Sequence, residues 1–450
     1  MSQQTSSKSP PRLNPLAQEL NAELARAAPE ILQMLSALGR RLYFPRGILS
    51  QSAEAKTRGQ RFNATIGIAT EGGEAMHLAS VQRHLADIAP DDIYPYAGAG
   101  GRLGLRRRWQ EKQLAENPSL RGKAIGLPIV TSALTHGLSL VGDLFVDAGD
   151  VIVLPDKLWG NYRLTYEVRL GACMETFPFY AGPSFNVPGL AQTLEAQAQD
   201  HEKLIVLLNF PNNPTGYMPS EPEGQAIADV LVAQARKGTK LLVVCDDAYF
   251  GLFYHLGGRS LTESLFGLLA NRHANLLALR LDGATKELFA WGLRCGFLTF
   301  GPGRAETAEK ALSALDAKTR GAIRGGVSNA PMLSQTLVER ALLSSSIDEE
   351  RKQKREILRA RAERVHQVAN APRFRESFEV YPFNSGYFMC LRVKGVTAEQ
   401  LRVHLLDAYG AGLVASGEKD LRIAFSCLEI EQIEPLFEVI HKGIQELREA

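Results

Sequence analysis

"KLIVLLNFPNNPTG", residues 203–216, runs from an unbroken apolar segment straight into two prolines, three asparagines and a glycine. Ile205, Val206, Leu207 and Leu208 make a run too short for a typical helix and without polar alternation, the pattern of a strand buried on both faces. The Asn and Pro cluster ends it as a rigid polar turn. In open parallel sheets ligands sit beyond the carboxyl ends of the strands, so such turns are where chemistry is placed.

The same pattern recurs along the chain. "GLPIVTSALT" (126–135), "DVIVLPDKLW" (150–159), "KLLVVCDDAY" (240–249) and "NLLALRLDGATK" (275–286) are apolar runs that also end in polar or glycine residues. Amphipathic stretches lie between them, such as 223–238, with Ile227, Val230, Leu231 and Ala235 at helical spacing and Gly238 in the position of a C-terminal cap. Strand and helix in alternation predict an α/β protein with a mostly parallel sheet and right-handed crossovers. A charged helix at 348–371 then opens a second pattern of short strands and helices, the signature of a smaller α+β domain. The expected organisation is a flexible tail over residues 1–15, an N-terminal segment over 16–77 packing with the small domain, a large domain over 78–346 and a small C-terminal domain over 347–450.

Composition narrows the class. The chain has 450 residues, 45% of them hydrophobic, and a formal net charge of +2, so it can bury a large core and projects no strong field toward nucleic acid or an acidic membrane. The basic run "RLGLRRRWQEK" (102–112) reads as a solvated helix face. Five scattered cysteines without a C-x-x-C pair suggest neither a disulfide framework nor a zinc site. With no apolar leader and no apolar stretch long enough to span a bilayer, the expected location is the cytoplasm.

A parallel sheet brings the strand ends to one edge. They carry Thr135, Trp159, Asn213, Asp246 with Tyr249, and Lys286, followed by Arg294. Singly, each has a bland explanation in packing, capping or solvation. Jointly they suit pyridoxal phosphate, which needs a lysine amine, a carboxylate at its ring nitrogen, donors to its phenolic oxygen, an aromatic face and an anion site. Lys286 and Asp246 would take the first two roles. Asn213 and Tyr249 would donate to the ring oxygen, Trp159 would stack on the ring, and the backbone at Leu134 and Thr135 would hold the phosphate with Arg294.

With "NNPTG", "DDAY" and the "K-x7-R-x-G" of "KELFAWGLRCG" in that order, the chain resembles the class I aminotransferases, the aspartate aminotransferase-like group of fold-type I. The resemblance implies a homodimer with shared active sites, whose small-molecule partners are an amino acid and a 2-oxo acid. It places a glycine loop of the substrate site at Gly67, the α-carboxylate arginine at Arg422, and a tyrosine reaching the neighbouring subunit's phosphate at Tyr96, with Tyr94 as the alternative. "AIRGGVSNAP" implies that Arg324 pairs, across the dimer, with the side-chain carboxylate of aspartate or glutamate. Two positions depart from the family. Gly283 stands where a phosphate-binding serine is usual, leaving Thr285 or another loop donor to serve, or the phosphate more weakly held. Tyr162 stands where the family has a histidine behind the ring-nitrogen aspartate.

The expected activity is therefore transfer of an amino group from an L-amino acid, aspartate or glutamate, to a 2-oxo acid such as 2-oxoglutarate. Alternatives on the same scaffold are an aromatic or broad-range aminotransferase and a β-lyase or β-decarboxylase. A regulator with an aminotransferase-like domain would need a DNA-binding module, for which the short helices before Gly67 and the near-neutral charge offer little.

Overall fold

The computed structural model describes residues 13–43 and 48–449, so most of the expected tail, residues 1–12, lies outside the described residues. Its centre is a seven-stranded sheet: β1 (Ile129–Ser132), β2 (Val151–Pro155), β3 (Cys173–Phe177), β4 (Lys203–Asn209), β5 (Lys240–Asp246), β6 (Leu276–Gly283) and β7 (Cys295–Gly301), in the spatial order β1-β7-β6-β5-β4-β2-β3. Neighbouring strands run parallel except β7, which is antiparallel to both β6 and β1.

Burial on both faces is visible within single strands. Ile205 and Leu207 of β4 join one hydrophobic cluster, while Leu204, Val206 and Leu208 join another on the opposite side. Helices cover both faces. The helix Glu221–Arg236 begins in a capping box in which Ser220 and Glu223 satisfy each other's backbone N–H groups. It buries Ile227, Leu231 and Ala235, and Gly238, at φ 109°, follows its end.

Two strands were not foreseen. β3 is only partly buried along most of its length and carries polar residues, and β7 hides behind the motif that ends at Arg294. The basic run at 102–112 also differs from its reading. It lies in the helix Leu103–Glu116, but Arg106 is buried, donating to the carbonyls of Leu127 and Pro128 and pairing with Asp316 at 2.6 Å. Trp109 is fully buried and donates to Asp282 at 3.0 Å, so only Arg107 and Arg108 of this run's arginine cluster face outward.

A smaller antiparallel sheet follows, formed by β8 (Phe378–Val380), β9 (Phe388–Val393), β10 (Val414–Ala415) and β11 (Asp420–Ala424), in the order β8-β9-β11-β10. Helices Ile347–Ala369, Ala398–Tyr409 and Ile430–Glu449 accompany it. The helix Ile48–Arg58 lies on this side, with Gln51 exchanging hydrogen bonds with Ala415 and Arg58 paired with Asp407. The earlier segment meets the large sheet's surroundings instead: Asn14, Gln18 and Arg41 flank a cleft with Arg163 and Glu167, and Arg41 donates to the carbonyl of Arg169. Among the described residues no helix is long and apolar enough to cross a membrane.

Candidate active site

Register sets the floor of the site. β4 and β5 pair so that Asn209 lies beside Asp246, and β6 continues past them to Gly283 before turning through Ala284–Glu287, the short helix that carries Lys286. A cavity of about 360 Å³ opens where these strand ends meet the small sheet.

The three asparagines of the opening motif divide the work. Asn209 accepts from the Asn213 N–H at 2.8 Å and donates to the Asp246 carbonyl at 2.8 Å. Asn212 accepts from the Thr215 N–H at 3.1 Å and hydroxyl at 2.7 Å, closing the turn. Asn213 is left to face the cavity, its side-chain oxygen accepting from Arg422 Nη1 at 3.0 Å. Its NH₂ therefore remains as the donor end.

Asp246 is buried, with Oδ1 accepting from the Ala248 N–H at 3.1 Å and Oδ2 from the Tyr162 hydroxyl at 2.5 Å. Burial raises its carboxyl above the ordinary value, against the opposing pull of Tyr162, Lys286 and the Ala248 N–H. The Lys286 ammonium lies 5.0 Å from the centre of the Tyr249 ring. Burial lowers its pKa to about 8, helped by Arg294 and resisted by Asp246. Burial also pushes the Tyr249 phenol up.

The opposite wall comes from the small sheet. Arg422 on β11 is buried, donates to the Thr65 carbonyl at 2.7 Å and lies 4.2 Å over the Phe388 ring. Burial is the main influence on it, and it lowers the pKa; no carboxylate pairs with it among the described residues. The strap bearing Gly67 is fixed to the small domain: Phe62 pairs with Ala411 in a separate two-stranded ladder, the Ala64 carbonyl accepts from Ala424 on β11, and the Ile68 carbonyl from Ser426 just beyond it.

The cavity brings together Gly67, Leu134, Thr135, Trp159, Asn213, Asp246, Tyr249, Thr285, Lys286, Arg294 and Arg422. It does not include Tyr96, Tyr94 or Arg324. Tyr96 is 90% and Tyr94 80% exposed, and Arg324 is exposed with Nη1 donating to Ser328 at 2.7 Å. Sequence reading missed Ile66, Ile68, Trp291 and Phe388, which also line the cavity. Ile66 and Ile68 flank the glycine already singled out, and Trp291 stands between the lysine and the arginine, so those positions carried a signal. Phe388 reaches the site through tertiary packing alone. A wider groove of about 620 Å³ elsewhere contains Lys157 and Asp420, already paired with each other at 2.7 Å.

The cavity's chemistry fits pyridoxal phosphate. Thr285 Oγ1, Trp291 Nε1 and Arg422 Nε are buried polar atoms without a protein partner, and all three residues line the cavity. Leaving such groups unpaired is costly, so they suit a polar ligand. Gly283 has a packing reason: a Cβ there would stand 2.8 Å from both the Cys295 carbonyl oxygen and Gly296 Cα, so a serine would force β6 and β7 apart. The neighbouring Thr285 hydroxyl is the one left open.

A family model described as aminotransferase class I and II matches residues 107–440. An aspartate aminotransferase of Musicola paradisiaca is 32% identical over 170 residues, which are 38% of this chain and 39% of that protein, so the matched region spans about two fifths of its length. An aromatic-amino-acid aminotransferase of Escherichia coli is 25% identical over 297 residues, 64% of this chain and 68% of that one. A solved aminotransferase from Anaerococcus prevotii superposes with a TM-score of 0.76 at 21% identity, covering 91% of this chain and 98% of its own. Pyrococcus horikoshii kynurenine aminotransferase gives 0.77 at 16% identity, covering 94% and 99%. These superpositions establish the fold as that of the fold-type I aminotransferases. With the family match extending over most of the length and the strand-end residues meeting in one cavity, the chain belongs to the pyridoxal-phosphate-dependent class I and II aminotransferases.

Proposed function

We propose that this protein is a transaminase that moves an amino group from L-aspartate or L-glutamate to a 2-oxo acid such as 2-oxoglutarate. The observation that carries the reading is the meeting of Lys286, Asp246 and Asn213 with Arg422, a buried guanidinium without a carboxylate partner among the described residues. Pyridoxal phosphate, when bound, supplies the aldehyde that carries the amino group and a ring that delocalises the electrons left by proton removal.

Arg422 holds the substrate α-carboxylate, relieving its own unpaired burial. Lys286, with its amine shifted toward neutrality, would take the substrate α-proton at Nζ and later give it back, acting as base and then acid. Asp246 would hold the proton on the ring nitrogen. Asn213 Nδ2 and the Tyr249 hydroxyl would donate to the ring oxygen, and Trp159 would stack on the ring. Thr285, Arg294 and the backbone at Leu134 and Thr135 would bind the phosphate, while Gly67 would border the substrate. Arg324 and Tyr96 serve the site of a second copy in a cytoplasmic homodimer. Support comes from their exposure and from the Asn329 side chain, which donates to the Ala97 carbonyl at 2.8 Å and ties the two segments into one face.

A second reading, an aromatic amino acid as donor, is favoured by the apolar wall of Ile66, Ile68 and Phe388. Visible spectra of the cofactor-loaded protein separate the two. The expected result is loss of the yellow band on adding L-aspartate and little change with L-phenylalanine. Bleaching by phenylalanine alone would remove the dicarboxylate assignment, and no band after cofactor addition would remove the whole reading.

A further inference from the structure

Among the described residues the Asp246 carboxylate accepts from a single side-chain donor, the hydroxyl of Tyr162, besides the Ala248 N–H. That phenol is itself fixed: its ring is buried, its backbone N–H donates to the Trp159 carbonyl at 3.0 Å, and the Trp159 ring meets it edge-on at 5.5 Å and 88°. One residue thus abuts both the aromatic group assigned to the ring face and the carboxylate assigned to the ring nitrogen. We infer that Tyr162 is a positioning residue that aims Asp246 and keeps it ionised, so that the cofactor's ring nitrogen stays protonated. This rests on the role proposed for Asp246.

The physical need is plain. A buried carboxylate favours its neutral form unless donors or cations compensate. The groups around Asp246 are Lys286, Tyr249, Tyr166, Asp247 and Cys245 besides Tyr162. Of these, Lys286 is committed to the cofactor's aldehyde carbon in the loaded protein, and Asp247, as a second carboxyl, opposes ionisation. Tyr162 and the Ala248 N–H are then the stabilisers that remain. A neutral Asp246 would release the ring-nitrogen proton, return electron density to the lysine–cofactor link and make that link easier to protonate.

The test is a pH titration of the visible band of holoprotein, with the dissociation constant for pyridoxal phosphate measured in parallel. Tyr162→Phe keeps the ring and removes the donor. It should raise the midpoint by about one pH unit and weaken cofactor binding about tenfold, the equivalence of one unit and one decade. In an Asp246→Asn background the same substitution should shift neither further. Tyr162→His, whose ring N–H can donate, should stay near the wild-type midpoint, and it serves as the test should the Phe variant not fold. Wild-type midpoint and affinity in Tyr162→Phe, an undiminished effect in the Asn background, or a His variant displaced as far as Asp246→Asn would each overturn the inference. A wild-type protein without the band would remove the cofactor reading on which it rests.

Discussion

Two regions of the molecule carry residues singled out for the same chemistry, and they differ in how far one chain completes them. The floor at the ends of β4, β5 and β6 is buried and its strand-end side chains are tied to one another: Asn209 orients Asn213, Tyr162 and Ala248 hold Asp246, and Asn213 meets Arg422. The face bearing Tyr94, Tyr96 and Arg324 is open, with its tyrosines almost fully exposed and its arginine donating to Ser328 four residues along its own chain. Buried polar groups must be satisfied locally, so the floor is determined within the chain. An exposed tyrosine has no such constraint, and its role depends on what docks there.

Removing the amine from the floor is the strongest way to break this contrast. Lys286→Ala should lower transamination by roughly a thousandfold or more, because it removes the group proposed as both covalent anchor and proton carrier. Circular dichroism should stay native, since the lysine makes no ion pair among the described residues. Turnover within a few-fold of wild type would mean that the floor is structural.

Arg324→Ala tests the open face with a smaller expected effect. A charge-assisted pair contributes on the order of 1.5–3 kcal/mol, so KM for L-aspartate should rise about 10- to 100-fold while KM for L-phenylalanine stays unchanged. Equal increases for both substrates would assign Arg324 to the stability of the face rather than to recognition of a carboxylate.

How much of this was legible in the sequence follows the same division. The strand ends were readable because buried parallel strands are continuous apolar runs and because turn residues mark where they stop, as at 209–216. β7 was not, since its short apolar run follows directly on the Arg294 motif and its place between β6 and β1 is a matter of topology. Arg106 was read as solvated because charge on a helix usually is; its burial is decided by Asp316 on a distant helix and by two carbonyls. Phe388 is equally silent, an aromatic in a core strand until the small sheet swings it under Arg422. The absence of a serine at 283 was legible, but its reason, the close approach of β6 to Cys295 and Gly296, needed the fold.

The finest distinction concerns the floor alone, and it is a matter of pH. An exposed lysine would lose its proton near 10.5, whereas burial, aided by Arg294, brings Lys286 to about 8. Only the neutral amine attacks an aldehyde, so the neutral fraction grows as pH rises through the lowered value. Pyridoxal phosphate should therefore load onto the apoprotein about tenfold faster at pH 9 than at pH 7 and level off above that, as followed by the growth of the visible band. Asp246 works against this shift and burial works for it, so the midpoint reports which dominates. A rate still climbing steeply beyond pH 9 would mean that water reaches the amine in the apoprotein and that the floor, like the tyrosine face, is completed only when something binds.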